Sequence, residues 1–140
     1  MHINVYAIIL AAIANFIVCM VWYGGLFMKP WAAEMGYDPT MRPQGKMMAR
    51  NMLIMAASCF IFAWIFAFYL AGWKFIPGME SMGTFSFGFN SALSVWIGFL
   101  LTSQLHRVVW ERHSLKLFAI NAGYNLVAAI VVGMILASWP

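Results

Sequence analysis

The sequence predicts an all-α polytopic membrane protein, with four transmembrane helices in an antiparallel up-down bundle and both termini outside. Three observations predict it. Of the 140 residues, 64% are apolar and only 9% are charged, against roughly 25% charged in an average soluble domain. The apolar residues form four long stretches, each matching the roughly 20 residues that cross a bilayer core about 30 Å thick. Seven of the 8 Lys and Arg fall in connections that an up-down chain brings to one side. A chain of this size keeps about a third to two-fifths of its unfolded surface exposed after folding, so lipid must cover the apolar excess. The same composition excludes a disordered chain, a secreted disulfide scaffold and a soluble enzyme domain.

The first span covers about 3–28 and is expected to remain in the mature protein. Met1 to Asn4 hold no Lys or Arg, and the apolar run exceeds the roughly 7–15 residues of a signal-peptide core. Lys29-Pro30-Trp31-Ala32-Ala33-Glu34-Met35-Gly36 predicts a short interfacial helix at about 30–36, with Pro at the first helical position and Gly as a left-handed cap. Turns at Asp38-Pro39 and Arg42-Pro43-Gln44-Gly45 lead into the second span, about 47–71. Ile76-Pro77-Gly78 signals a type II turn. The third span, about 85–109, and the fourth, about 115–138, are joined only by Glu111, Arg112 and His113, with Ser114 placed as an N-cap. These two should form an antiparallel hairpin. The four spans leave no room for a soluble domain.

Orientation follows from Lys and Arg alone. Lys29, Arg42, Lys46 and Arg50 lie in the first connection and Arg107, Arg112 and Lys116 in the third, whereas the second holds only Lys74. The basic side is therefore expected to be cytoplasmic. The net charge of +4 then reflects topology and anionic headgroups, with no nucleic-acid partner. Aromatic residues fit the same layout: Tyr6, Tyr69, Trp73 and Trp139 fall near the outer boundary, and Trp22, Tyr23, Trp31 and Trp110 near the inner one.

Helices in lipid associate through small residues and interhelical hydrogen bonds. Four rows at four-residue spacing supply them: Ala7, Ala11, Asn15, Cys19; Cys59, Ala63, Ala67, Ala71; Ser86, Asn90, Ser94, Gly98, Thr102; and Asn121, Asn125, Ala129, Gly133, Ala137. An amide in hydrocarbon requires a partner, so Asn15, Asn90, Asn121 and Asn125, with Tyr124, are the candidate intramembrane polar cluster, serving either as packing or as a polar path. Arg107, Glu111, Arg112, His113 and Lys116 are the candidate contact for lipid headgroups or a partner, and Arg107 and Glu111 are spaced to pair on a helix.

Chemistry-bearing residues are otherwise sparse. The absence of a carboxylate at membrane depth argues against a proton-coupled carrier: small multidrug-resistance carriers, similar in size and helix count, use a Glu in the first helix where this chain has Asn15. Cys19 and Cys59 stand singly inside spans and read as apolar packing. The cysteine pairs of a membrane disulfide oxidase are not present. His2, His106 and His113 are scattered, and Met47, Met48, Met52 and Met55 fit packing better than copper handling, so no metal or other cofactor is expected.

Trp22-Tyr23 with Phe27, Lys29 and Trp31, then Trp96, Gly98 and Phe99, then Trp110-Glu111-Arg112, Ser114-Leu115-Lys116-Leu117-Phe118 and Ile120-Asn121-Ala122-Gly123-Tyr124 carry a resemblance across most of the chain. It resembles a family of small bacterial four-helix membrane proteins catalogued as a domain of unknown function. The family usually has Ser-Pro after Trp-Tyr, where this chain has Gly24-Gly25. The resemblance implies a fold and a bacterial inner-membrane location, but no reaction.

The expected function is that of a non-catalytic bundle that self-associates or serves as an accessory subunit, binding lipid or a membrane partner. The alternative is an oligomeric channel or transporter for a small solute or ion, since four short helices alone scarcely enclose a pore. An enzyme acting on lipid would rest on Glu111 and His113 alone.

Overall fold

The computed structural model describes residues 3–38, 40–41 and 44–139, and helix is the only regular structure among them. The turns expected at Asp38-Pro39 and Arg42-Pro43 rest on residues outside that set, as does His2. Four helices are long and apolar enough to cross a membrane: α1 (Val5–Leu26), α3 (Gly45–Trp73), α4 (Thr84–Trp110) and α5 (Leu115–Ser138). A short helix, α2 (Met28–Met35), follows α1. The spans agree with the sequence reading to within two residues at each end.

Local chemistry accounts for most helix ends. The Asn4 side chain accepts from the Tyr6 and Ala7 amides and opens α1. Ser114 accepts from the Leu117 amide and opens α5. Gly36, at φ 72°, closes α2 with bonds from the Gly36 amide to the Ala33 carbonyl and from the Tyr37 amide to the Ala32 carbonyl, the paired pattern of a Schellman cap. α2 starts two residues earlier than expected, which leaves Pro30 within the first turn, where its missing N–H costs nothing. In the next loop Asp38 accepts from the amide and the hydroxyl of Thr40. These bonds hold its carboxyl below the ordinary aspartate range. Gly78, at φ 90°, and a bond from the Met79 amide to the Ile76 carbonyl complete the type II turn.

Two stretches depart from α geometry. Trp22–Leu26, ending α1, and Trp96–Leu101, inside α4, are π-helical. In the first, the Phe27 amide bonds the Trp22 carbonyl five residues back, the wider ring that defines a π turn. Both follow one pattern, Trp-x-Gly-x-Leu: Trp22-Tyr23-Gly24-Gly25-Leu26 and Trp96-Ile97-Gly98-Phe99-Leu100.

The first and last spans form the centre. α5 packs along both α4 and α1, α3 packs mainly on α1, and α3 and α4 scarcely touch. The apolar core lies toward the end that carries the termini, where Ala7, Ile8 and Ala11 meet Ala63, Phe66 and Leu70, together with Phe87, Ala92, Val132 and Leu136. The α4–α5 seam is tight because two glycines face each other there. A Cβ on Gly133 would stand 2.9 Å from the Gly88 carbonyl oxygen, and one on Gly88 would stand 3.0 Å from that of Gly133.

Burial confirms three of the four small-residue rows in large part. Ala7, Ala11, Asn15 and Cys19 are all buried, as are Cys59 and Ala63, and Asn121, Ala129 and Gly133. The row on α4 is corrected except at Ser94, which is half-buried and 3.1 Å from the Tyr69 hydroxyl of α3: Ser86, Asn90, Gly98 and Thr102 are exposed, and α4 instead buries Phe87, Gly88, Ser91, Ala92 and Val95. Asn90 and Thr102 have local partners, which explains how they stand away from the bundle. Asn90 donates to the Ser86 carbonyl and Thr102 to the Gly98 carbonyl.

Candidate intramembrane site

Toward the termini the Tyr69 hydroxyl of α3 and the Ser94 hydroxyl of α4 lie 3.1 Å apart, but most polar contacts between helices gather in the other half of the bundle. The Trp22 indole N–H donates to the Ile120 carbonyl at 3.0 Å, and the Trp96 indole N–H donates to the Ala122 carbonyl at 2.9 Å. The two π turns thus open with tryptophans that grip α5 from α1 and from α4. Gly123 makes room for one of them, since a Cβ there would meet the Trp22 ring carbon Cζ2 at 3.1 Å. Beside Trp22, the Tyr23 hydroxyl donates to Asn121 Oδ1 at 2.7 Å, and nearer mid-span the Tyr124 hydroxyl donates to Asn15 Oδ1 at 3.1 Å. The Tyr23 and Tyr124 rings lie 5.2 Å apart, and Trp31 of α2 meets Tyr23 edge-on. Two tyrosine–asparagine pairs therefore tie α1 to α5 at membrane depth, where each polar group must find a partner.

A cavity of about 160 Å³ opens in the gap between α3 and α4. Asn15, Ser58, Tyr124 and Asn125 supply its polar lining, and Met55, Cys59, Phe62, Leu100 and Ala128 the rest. Asn15 and Cys59 stand at the midpoints of their helices and Asn125 close to the middle of its own. Among the expected cluster, then, Asn15, Tyr124 and Asn125 meet around this cavity. Asn121 stands apart from it, engaged by Tyr23, and Asn90 lies on the outer face of α4.

The charged cluster gathers at the end remote from the termini, with Arg107 on the last turn of α4, Glu111, Arg112 and His113 in the connection and Lys116 on the first turn of α5. Arg107 and Glu111 do not form the expected pair. α4 ends at Trp110, so Glu111 leaves the helical spacing and meets His113 Nε2 at 3.2 Å. Lys116 is 3.9 Å from Glu34, which also accepts a hydrogen bond from Ser114. This latch pins α2 to the first turn of α5, where an anion is favoured by the helix dipole. Glu34 carried no sequence signal as a site residue, because its partners lie 80 residues on. Trp22, Tyr23 and Trp96 were equally concealed as bundle contacts, and the repeated Trp-x-Gly-x-Leu pattern is the signal that could have found the two tryptophans. Met47 and Met48 are exposed, whereas Met55 borders the cavity.

A family model described as a protein of unknown function, DUF1761, matches residues 6–137. No curated protein and no solved structure matches the chain.

Proposed function

We propose, from the premise that the chain belongs to the DUF1761 family, that it is a non-catalytic multi-pass membrane protein that self-associates through the outward face of α4. The observation that carries this reading is the exposure of Ser86, Asn90, Gly98 and Thr102 on α4, the row's middle member Ser94 alone turning inward to the Tyr69 hydroxyl of α3. Small and polar residues at four-residue spacing are what helix interfaces in lipid use, and these face away from the chain's own bundle. In this reading the membrane is a bacterial inner membrane, with the basic end inward as the Lys and Arg bias supports. Arg107, Arg112 and Lys116 then contact anionic headgroups or a membrane partner. Glu111 is exposed beside His113, a water-facing setting that favours such contacts over acid–base work on lipid.

Association is measured by energy transfer between labelled copies in liposomes as the protein-to-lipid ratio is varied. Gly98→Leu and Asn90→Leu should each weaken it about tenfold, the worth of one interhelical contact of roughly 1–2 kcal/mol. A chain that stays monomeric at all ratios, or association indifferent to both changes, overturns the reading. A second reading, a solute path completed by several copies, is favoured by the polar lining of the α3–α4 cavity. Flux of a small polar solute into the same liposomes that disappears in Asn125→Leu would support it.

A further inference from the structure

We propose that the cavity between α3 and α4 binds a hydrophobic ring bearing carbonyl oxygens, of the quinone class. Asn15 is only 4% exposed and lines the cavity. The Tyr124 hydroxyl takes one end of its amide. The amide NH₂ of Asn15 has no acceptor among the described residues, and the Asn125 side chain has no hydrogen-bond partner among them. No side-chain polar atom among the described residues is both sealed from the cavity and unpartnered, so the free end of the Asn15 amide and the half-buried Asn125 amide open onto the cavity, a geometry suited to a ligand that brings acceptors.

Depth selects the source of those acceptors. The site lies at mid-span, about half a bilayer core from either interface, or roughly 15 Å. Lipid ester carbonyls stay near the interfaces and do not reach it. The acceptor must belong to a molecule that dissolves in hydrocarbon. Size narrows the class further, since 160 Å³ is close to the roughly 150 Å³ of an apolar protein cavity that holds a benzene ring. The apolar walls, Met55, Phe62, Leu100 and Ala128, suit a ring face and its alkyl substituents. Because α3 and α4 scarcely touch and Ser58 on the rim is exposed, the ring can enter sideways from lipid. Asn15 and Asn125 would then donate to ring carbonyls, with the Ser58 hydroxyl at the mouth. The proposal rests on the fold of one chain and is independent of self-association.

The test uses the whole chain in lipid nanodiscs, with two probes that share a tetramethyl six-membered ring and differ in two carbonyl oxygens: tetramethylbenzoquinone and tetramethylbenzene. Retention is measured by equilibrium dialysis against protein-free discs of the same lipid. The quinone should bind saturably and about ten- to thirtyfold tighter than the hydrocarbon, the worth of two amide hydrogen bonds. Asn15→Leu and Asn125→Leu should each remove most of that preference, whereas Asn51→Leu, at an exposed position of α3 outside the cavity lining, should keep it. Equal retention of the two probes by the unaltered chain overturns the proposal without recourse to any variant. So does a preference that persists in both cavity variants. Failure here leaves energy transfer between labelled copies unchanged, which separates this proposal from the reading of α4.

Discussion

Adding one methyl group to the α4–α5 seam should cost the bundle a measurable part of its stability. In Gly133→Ala the new Cβ would stand 2.9 Å from the Gly88 carbonyl oxygen, 3.2 Å from Ala92 Cβ and 3.3 Å from Phe66 Cζ. The first neighbour is backbone and cannot swing aside, so α4 itself must retreat by several tenths of an ångström. Overpacking of this kind costs about 1–3 kcal/mol, and the better helix propensity of Ala returns up to about 1 kcal/mol. The expected net loss is about 1–2 kcal/mol, or roughly a factor of 5–30 in the folded-to-unfolded ratio. Gly88→Ala should behave alike, because its Cβ would meet the Gly133 carbonyl oxygen and Ala137 Cβ, both at 3.0 Å. The two changes strain one seam, so the double variant should lose less than their sum, by about 0.5–1 kcal/mol. Gly72→Ala is the control, with nothing within 4 Å of an added Cβ, and should be neutral or slightly stabilising. Stability is read from reversible unfolding in mixed micelles titrated with a denaturing detergent, followed by circular dichroism. If Gly133→Ala is as stable as the parent, and indistinguishable from Gly72→Ala, the close seam between α4 and α5 is refuted.

Two further outcomes follow from named contacts. Trp22→Phe and Trp96→Phe keep a ring but remove the N–H that reaches α5, and each should cost about 1 kcal/mol in the same unfolding experiment. The loss stays modest because a helix carbonyl keeps its own intrahelical partner. No loss in either variant would contradict the clamp. Glu34→Ala should change bundle stability by less than about 1 kcal/mol yet raise amide exchange across residues 28–35, since it removes the bond from Ser114 and the contact with Lys116. Unaltered exchange there would show that α2 is held by Trp31 and its aromatic neighbours instead.

The spans were legible because hydropathy over some twenty residues reports a bulk property, partition into lipid, that neighbouring helices do not alter. Caps were legible for an equally local reason: Ser114 and Gly36 act on groups within a few residues. The row on α4 misled because spacing alone does not distinguish a face turned inward from one turned outward. Asn90 and Thr102, each bonded to a carbonyl four residues back, escape the usual cost of an amide or hydroxyl in lipid. On α1 the same spacing succeeded, since Asn15 reaches the Tyr124 hydroxyl across the bundle. The π turns left no trace in hydropathy, and they decide which side chains meet: Trp22 and Tyr23, adjacent in sequence, both reach α5. The cavity could not be read from the chain because it lies where two helices stand apart but for a few contacts such as Tyr69 with Ser94, and sequence patterns describe what packs.

The pairing of the first and last spans has a consequence for how the protein is made. The bonds joining α1 to α5 close across 98 and 109 residues, so they cannot form until the ribosome has delivered the final helix. Until then α1, α3 and α4 must wait in the bilayer, with Asn15 lacking its tyrosine and the glycine at position 88 lacking its counterpart. A nascent chain halted before α5 thus leaves the Asn15 amide without its tyrosine partner. Delivery of α5 adds the centre of the bundle to the α1–α3 pair that is already able to pack.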